Sequence, residues 1–479
     1  MPRKTFTLHS SLLFDPKKKA FIPNVSIEIN RATGAIIKVY TRPSSSSSEP
    51  VLTLLPGDID LRGSNKLVMP GFVDSHTHIF LHAYTERGAT EQMRDESPVE
   101  RTVRATHHAR AALLAGYTTY RDLGTESLGS ADASLRDCIN RNLTPGPRMF
   151  VATEALASSG SYEIRRENPY LTVPRASDTA DGVDGVRAAV RRRVGAGADL
   201  IKFYADYRRK AMRFPRPQGL AFPPAPRALN PAVPGYAQDE MDAIVREADL
   251  ADVPVAAHAG ETRAAAMAAR AGVTTVEHVF EDTHGELEDM LTAMVANKVI
   301  WVPTLATAAQ TPYFAAAKAR VKRAHEAGVR LAAGGDTGTF NHGLNAREME
   351  LLIEAGIPVA DVLEACTVGG WEACGGDRCG FRFGWFEAGN RADIIALDAD
   401  LRLDRKALRK VGFVMKDGRV WKQDGRAVED VDRIPQWPDS DNDDEEEEEE
   451  EEWTDLSGAE PRMAMSVPLP VLRESKSAF

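Results

Sequence analysis

Two histidines flanking a threonine, His76 and His78, close the apolar run from Met69 to Val73 and its Asp-Ser extension. In an extended strand, residues two apart share a face, so both imidazoles can reach one metal ion. The pair alone is weak evidence, because neighbouring histidines are usually surface residues. Residues further along the chain give it weight. Lys202 sits in Leu-Ile-Lys-Phe-Tyr, His258 ends Pro-Val-Ala-Ala-His, His278 ends Thr-Thr-Val-Glu-His, and Asp336 ends Arg-Leu-Ala-Ala-Gly-Gly-Asp. Each polar group comes late in a short β-prone segment. Four apolar or aromatic neighbours bury Lys202, and a buried lysine needs a chemical reason. His258 and His278 stand twenty residues apart, the span of one strand-helix repeat.

These residues must be held by something regular. Eight strand candidates run over 72–76, 118–122, 149–153, 200–204, 253–258, 274–278, 299–303 and 330–335. Alanine-rich stretches with helical spacing separate them, at 239–250, 261–270, 286–295 and 314–326. Ala115-Gly116, Ala196-Gly197, Ala271-Gly272 and Ala327-Gly328 each end a helix with a residue suited to a left-handed stop. Strand, helix, stop and strand again is the βα unit, and eight of them favour an α/β fold of the (β/α)8 TIM-barrel kind. In that barrel, functional groups gather at the C-terminal ends of the strands, where all six candidates lie.

Taken as a set, His76, His78, Lys202, His258, His278 and Asp336 resemble the ligands of the amidohydrolase superfamily, in the branch with two metals and a carboxylated lysine. The Pro-Gly-Phe-Val-Asp-Ser-His-Thr-His entry and the Gly389 to Asp398 segment are also similar to that family, over roughly residues 1 to 430. Within it, the chain is most similar to the imidazolonepropionase-like and Xaa-Pro dipeptidase-like branch. The resemblance implies two divalent ions, zinc by preference for nitrogen ligands, bridged by a carbamate formed from Lys202 and carbon dioxide. It assigns His76, His78 and Asp336 to the first ion and His258 and His278 to the second. A metal-bridging hydroxide would attack an amide carbonyl, with Asp336 as the proton-transferring catalytic residue. A peptide-like or N-acyl amino acid substrate is expected. A cyclic amide or ester, a deaminase-type substrate, or a non-catalytic scaffold with an acidic interaction tail are the alternatives.

Substrate choice should lie in loops. The stretch 205–238 is long, proline-rich and basic, and leaves the same rim as Lys202. Tyr207 and Arg208 are candidates for binding a substrate carboxylate or carbonyl oxygen. His342, beyond the eighth strand with Glu348 nearby, is a third substrate-binding candidate. His82, His107, His108, His284 and His325 match no ligand position.

The remaining chain divides readily. Strands at 4–14, 24–30, 35–41, 392–397 and 411–422 predict a small β-sandwich built from 1–66 and 388–432, beside a barrel over 67–387. A Lys-Asp-Gly-Arg turn at 416–419 splits the last segment into a hairpin. Five serines in a row mark a flexible loop within 43–50. The run 439–452 holds twelve acidic residues and no basic one. The formal charge of -11 would be about +1 without it. Acidity therefore belongs to a self-repelling tail over 433–479, which predicts disorder. There is no basic-aromatic patch for nucleic acid, no span for a membrane and no apolar leader core. Four cysteines make no disulfide framework, which predicts a cytoplasmic protein with reduced thiols acting on a small molecule or short peptide. Whether copies associate as a homo-oligomer is left open.

Overall fold

The computed structural model describes residues 3–43, 52–62, 66–163, 170, 172–208 and 232–433. Most of the basic loop, with Arg209, Lys210, Arg213, Arg216 and Arg227, lies outside the described residues, as do the serine run and the acidic tail.

All eight expected strands form, at Phe72–Thr77, Tyr117–Asp122, Arg148–Val151, Ile201–Tyr204, Val255–Glu261, Thr275–Glu281, Ile300–Val302 and Arg330–Leu331. They are parallel throughout and follow chain order in space. The first three make one sheet, and the last five belong to a second, joined there by the short strands Leu156–Ala157 and Asp178–Thr179. A parallel bridge between Thr77 and Thr337 connects the first strand to the chain just beyond the eighth. This is a TIM-barrel-like α/β arrangement whose ring is not hydrogen-bonded all the way round. The eighth strand is shorter than its sequence suggests, and beyond it the chain runs beside the first strand, with Ser75 N–H donating to the Ala333 carbonyl at 2.9 Å and Thr337 N–H to the His76 carbonyl at 3.1 Å. There Gly335 N–H donates to Asp74.

The helices follow the alanine pattern. Gln238–Leu250, Thr262–Ala271, Leu287–Ala296 and Phe314–Glu326 fall within a residue or so of expectation. Thr262–Ala271 buries five alanines, whose small side chains let it lie close against the sheet. All four predicted stop glycines have φ between 86° and 96°, the left-handed conformation that glycine adopts without a Cβ penalty. Pro98–Leu114 starts with Pro98 at its first position and Ser97 accepting from Glu100 N–H at 3.1 Å, which satisfies one of its free donors.

The terminal segments form two further sheets, of four and seven strands, around a shared apolar cluster that includes Leu8, Ile27, Val68, Ile394 and Phe413. Four of their strands escaped sequence reading: Ala20–Pro23, Ile59–Leu61, Leu67–Pro70 and Arg426–Ala427. They are too short to show a period. Leu67–Pro70 pairs antiparallel with Ile394–Leu397, so the chain leaves this region only at Gly71. Val411–Lys416 and Arg419–Gln423 make the expected hairpin.

The helix Val368–Ala373 lies against the first parallel strand through Gly370, where an added Cβ would come within 2.4 Å of Val73 Cβ. Gly370→Ala should therefore lower stability by ~1–3 kcal/mol through overpacking. Urea unfolding measures this, and an unchanged midpoint would contradict the close approach.

Candidate functional site

The six predicted ligands arrive at one end of the parallel strands. His76 and His78 come from the first, Lys202 from the fourth, His258 and His278 from the fifth and sixth, and Asp336 from the turn after the eighth. His76 and His278 have ring centres 4.7 Å apart, His258 and His278 4.5 Å, and His76 and His78 5.4 Å. Asp336 Oδ1 is 3.5 Å from His76 Nε2 and 3.4 Å from His78 Nε2. Coordinating atoms of His76, His278 and Asp336 all lie within 4.8 Å of one another.

Neighbouring groups determine which ring nitrogen faces inward. His76 Nδ1 donates to Glu277 Oε2 at 2.8 Å, His78 Nδ1 to the Gly124 carbonyl at 3.0 Å, and His278 Nδ1 lies 2.9 Å from Thr304 Oγ1. With Nδ1 engaged, Nε2 is the remaining lone-pair donor, the second-layer arrangement that orients metal-ligating histidines. His76 Nε2 is buried with no hydrogen-bond partner. His258 packs on Tyr204 at 4.6 Å between ring centres, and its Nε2 lies 3.8 Å from Asp206 Oδ1.

Burial holds the four imidazoles below the usual histidine range, hence neutral and able to donate to a cation. Lys202 is 1% exposed, and burial pushes its ammonium down to about 8 against the opposing charges of Glu277 and Asp336. Among the described residues its amine makes no ion pair or hydrogen bond. An orphaned imidazole nitrogen, four neutral imidazoles, a carboxylate and an unpartnered amine together fit a site for divalent ions. Burial raises Asp336 to about 6. His278 and Asp336 have φ of 75° and 60°, strained for residues with a Cβ, as often found where function dictates side-chain direction.

Sequence reading missed the groups behind these ligands. Arg121, fully buried, donates to the Ser75 and Ala373 carbonyls, to Thr275 Oγ1 and to Glu277 Oε1 at 2.8 Å. Asp74 accepts from His76 N–H, Gly335 N–H, Thr337 Oγ1 and Asn345 Nδ2. Glu126 stands 3.5 Å from His78 Nδ1 and accepts a short bond from Tyr162. The available signal was a charged residue inside an apolar strand, as in Tyr-Arg-Asp at 120–122 and Val-Glu-His at 276–278.

The predicted substrate contacts separate. Tyr207 joins Tyr162 and Tyr204 in an aromatic cluster whose nearest metal-site member is His258, 6.3 Å from the Tyr207 ring. Arg208 pairs closely with Glu281 and approaches the Tyr313 hydroxyl at 3.4 Å. Asp206–Arg208 also pairs antiparallel with Ala232–Pro234, pinning both ends of the basic loop near the rim. His342 is buried in the wall: its Nε2 lies 3.1 Å from the Leu81 carbonyl and its ring stacks on His108 at 4.3 Å. His82, which matches no ligand position, is buried against Glu96 at 2.9 Å.

The chain with this rim is similar to several known proteins. The model of the Amidohydrolase family matches residues 67–422. Ochratoxinase of Aspergillus niger is 26% identical over 401 residues, covering 75% of this chain and 76% of that protein. A crystal structure of a Xaa-Pro dipeptidase with methionine bound in its active site is 26% identical, with a TM-score of 0.69, over 87% of this chain and all 100% of that one. The A. niger ochratoxinase crystal structure, at 23% identity and a TM-score of 0.69 over 90% of this chain and 100% of that one, shares the fold.

Removing Arg121 would leave Glu277 as a buried carboxylate without its cation. Arg121→Met should cost ~3–5 kcal/mol, and adding Glu277→Leu should recover part of it. A double-mutant cycle by chemical denaturation measures the coupling, and a single-variant loss under ~1 kcal/mol would show that Arg121 is not the balancing charge.

Proposed function

The chain belongs to the amidohydrolase family and is a hydrolase acting on carbon–nitrogen bonds; we propose that it cleaves a peptide-like or N-acyl amino acid amide. The convergence of His76, His78, Lys202, His258, His278 and Asp336 on one rim supports this reading more than any other observation. His76, His78 and Asp336, with His258, His278 and Lys202 as its carbon dioxide carbamate, would hold two divalent ions, zinc by preference. Such ions, when bound, make hydroxide available at neutral pH and polarise a carbonyl.

The chain's own groups do the rest. Asp336 Oδ1, close to two imidazoles, takes the proton of the attacking water and passes it to the departing nitrogen. Glu277 and Thr304 keep His76 and His278 in the tautomer that presents Nε2. Tyr207 and Arg208, in the strand Asp206–Arg208 that pairs with Ala232–Pro234, receive the substrate carboxylate. His342 supports the segment after His78 from behind, which fits its bond to the Leu81 carbonyl. In this reading the eight parallel strands form one (β/α)8 barrel and the terminal segments a β-sandwich beside it, and the boundary expected between 66 and 67 moves to Gly71 because Leu67–Pro70 pairs with Ile394–Leu397. Among the described residues, no helix is long and apolar enough to cross a membrane and no cysteine is in a disulfide. This accords with a cytoplasmic enzyme.

Zinc-loaded protein screened against N-acyl amino acids, Xaa-Pro and other dipeptides, and cyclic amides tests the reading. Lys202→Ala should lose at least ~1000-fold in kcat/KM, about 4 kcal/mol, and bind less zinc by elemental analysis. Turnover of cyclic amides alone would replace the linear substrate class. Arg208→Ala should raise KM for a free carboxylate substrate by ~10-fold or more and leave its amidated counterpart nearly unchanged. Equal losses on both would remove the clamp.

A further inference from the structure

At the opposite end of the parallel strands, where the third begins with Arg148, a cleft of about 230 Å³ opens between the barrel-like strands and the terminal sheets. Lys416 and Arg391 line it on one side, Arg148 at its base, and Met149, Phe150 and Phe381 form an apolar wall. Most of its charges are matched. Arg148 donates to Asp393 at 2.7 Å and to Asp417 at 2.5 Å, and Arg391 donates to the same Asp417 oxygen at 2.5 Å. Burial alone would raise the Asp417 carboxyl, yet the charges of Arg148, Lys416 and Arg391 hold it well below the usual range. Two carboxylates thus serve two guanidiniums, Asp199 serves the lining Arg136 at 2.7 Å, and one cation is left over.

That cation is Lys416. The residue is 8% exposed, and among the described residues its amine makes no hydrogen bond and no ion pair, only a distant approach to the Trp421 ring at 5.8 Å. A purely structural weld between the sheets would need only the Arg148, Asp393, Asp417 and Arg391 set. An aliphatic side chain in place of Lys416 would avoid the cost of desolvating a charge. Burial lowers the Lys416 ammonium to about 8, despite the favourable charges of Asp417 and Asp393. A bound anion would offset that penalty.

We propose that this cleft is a second ligand site, which binds a small organic carboxylate. Its anionic head pairs with Lys416 and its apolar body rests on Phe150, Phe381 and Met149. The excess of one positive charge suits a monoanion. The apolar wall distinguishes a carboxylate with a hydrocarbon body from an inorganic oxyanion. The site is independent of the hydrolytic rim, since Lys202 and the imidazoles lie at the other ends of the strands.

Benzoate, inorganic phosphate and benzyl alcohol titrated calorimetrically into the full zinc-loaded chain provide the test. One benzoate should bind per chain, at least ten-fold more weakly to Lys416→Met, with neither of the other probes saturating. Lys416→Met should hydrolyse substrate as the wild type does. A second measurement needs no variant: benzoate should slow acetylation of Lys416 by limiting acetic anhydride several-fold, read by peptide mass spectrometry. Undiminished benzoate binding in Lys416→Met, or an unprotected Lys416, overturns the proposal. Stronger protection by phosphate than by benzoate overturns the carboxylate assignment.

Discussion

The buried carboxylate of Glu277 is the point on which the rim depends. One oxygen accepts from His76 and the other from Arg121, while Thr275 bonds to the Arg121 side. Arg121 in turn reaches the carbonyls of Ser75 and Ala373. A charge in this setting is tolerable only when its partners are complete, so a single network aligns His76 and ties the first, second and sixth strands. Asp74 does the same between the first strand and the turn after the eighth, where Asp336 sits. The sheets are discontinuous as hydrogen-bonded ladders, and these side-chain clasps bridge part of what the ladders leave open.

Function and stability therefore share residues. The groups that select the His76 and His278 tautomers are buried among those that hold the strands together, and His278 and Asp336 carry left-handed backbone strain. Strain of that kind persists only where surrounding structure over-determines it, and the close approaches of Gly334 to His76 and of Gly338 to His78 supply such determination. The two ends of the parallel strands differ accordingly. One gathers neutral imidazoles and unpartnered donor atoms; the other gathers arginines whose charges are mostly matched, with Lys416 as the exception.

Around His258 the chain is less regular. Tyr162, Tyr204 and Tyr207 pack together beside His258, making a semi-apolar wall, and Arg208 with Glu281 makes a charged one. Family membership accounts for the hydrolytic chemistry.

The order of elements was legible from sequence because alternation of apolar strands with alanine-rich helices is a local property, and the Ala-Gly stops are decided by backbone φ alone. The six candidate ligands were legible because each comes late in a β-prone segment of the sequence. Short strands such as Ile59–Leu61 were not, since three residues carry no period, and the roles of Arg121, Glu277, Asp74 and Lys416 were invisible for a different reason. Arg121 and Glu277 stand 156 residues apart and Asp74 and Asn345 271, and nothing in the neighbourhood of any of them says which distant group will compensate its charge. His342 shows the same limit: its sequence context pointed to the loop, and packing turned it into the wall. Local chemistry and periodicity are written in the chain, whereas the pairing of buried charges is decided only when folding removes water and brings distant residues within bonding distance.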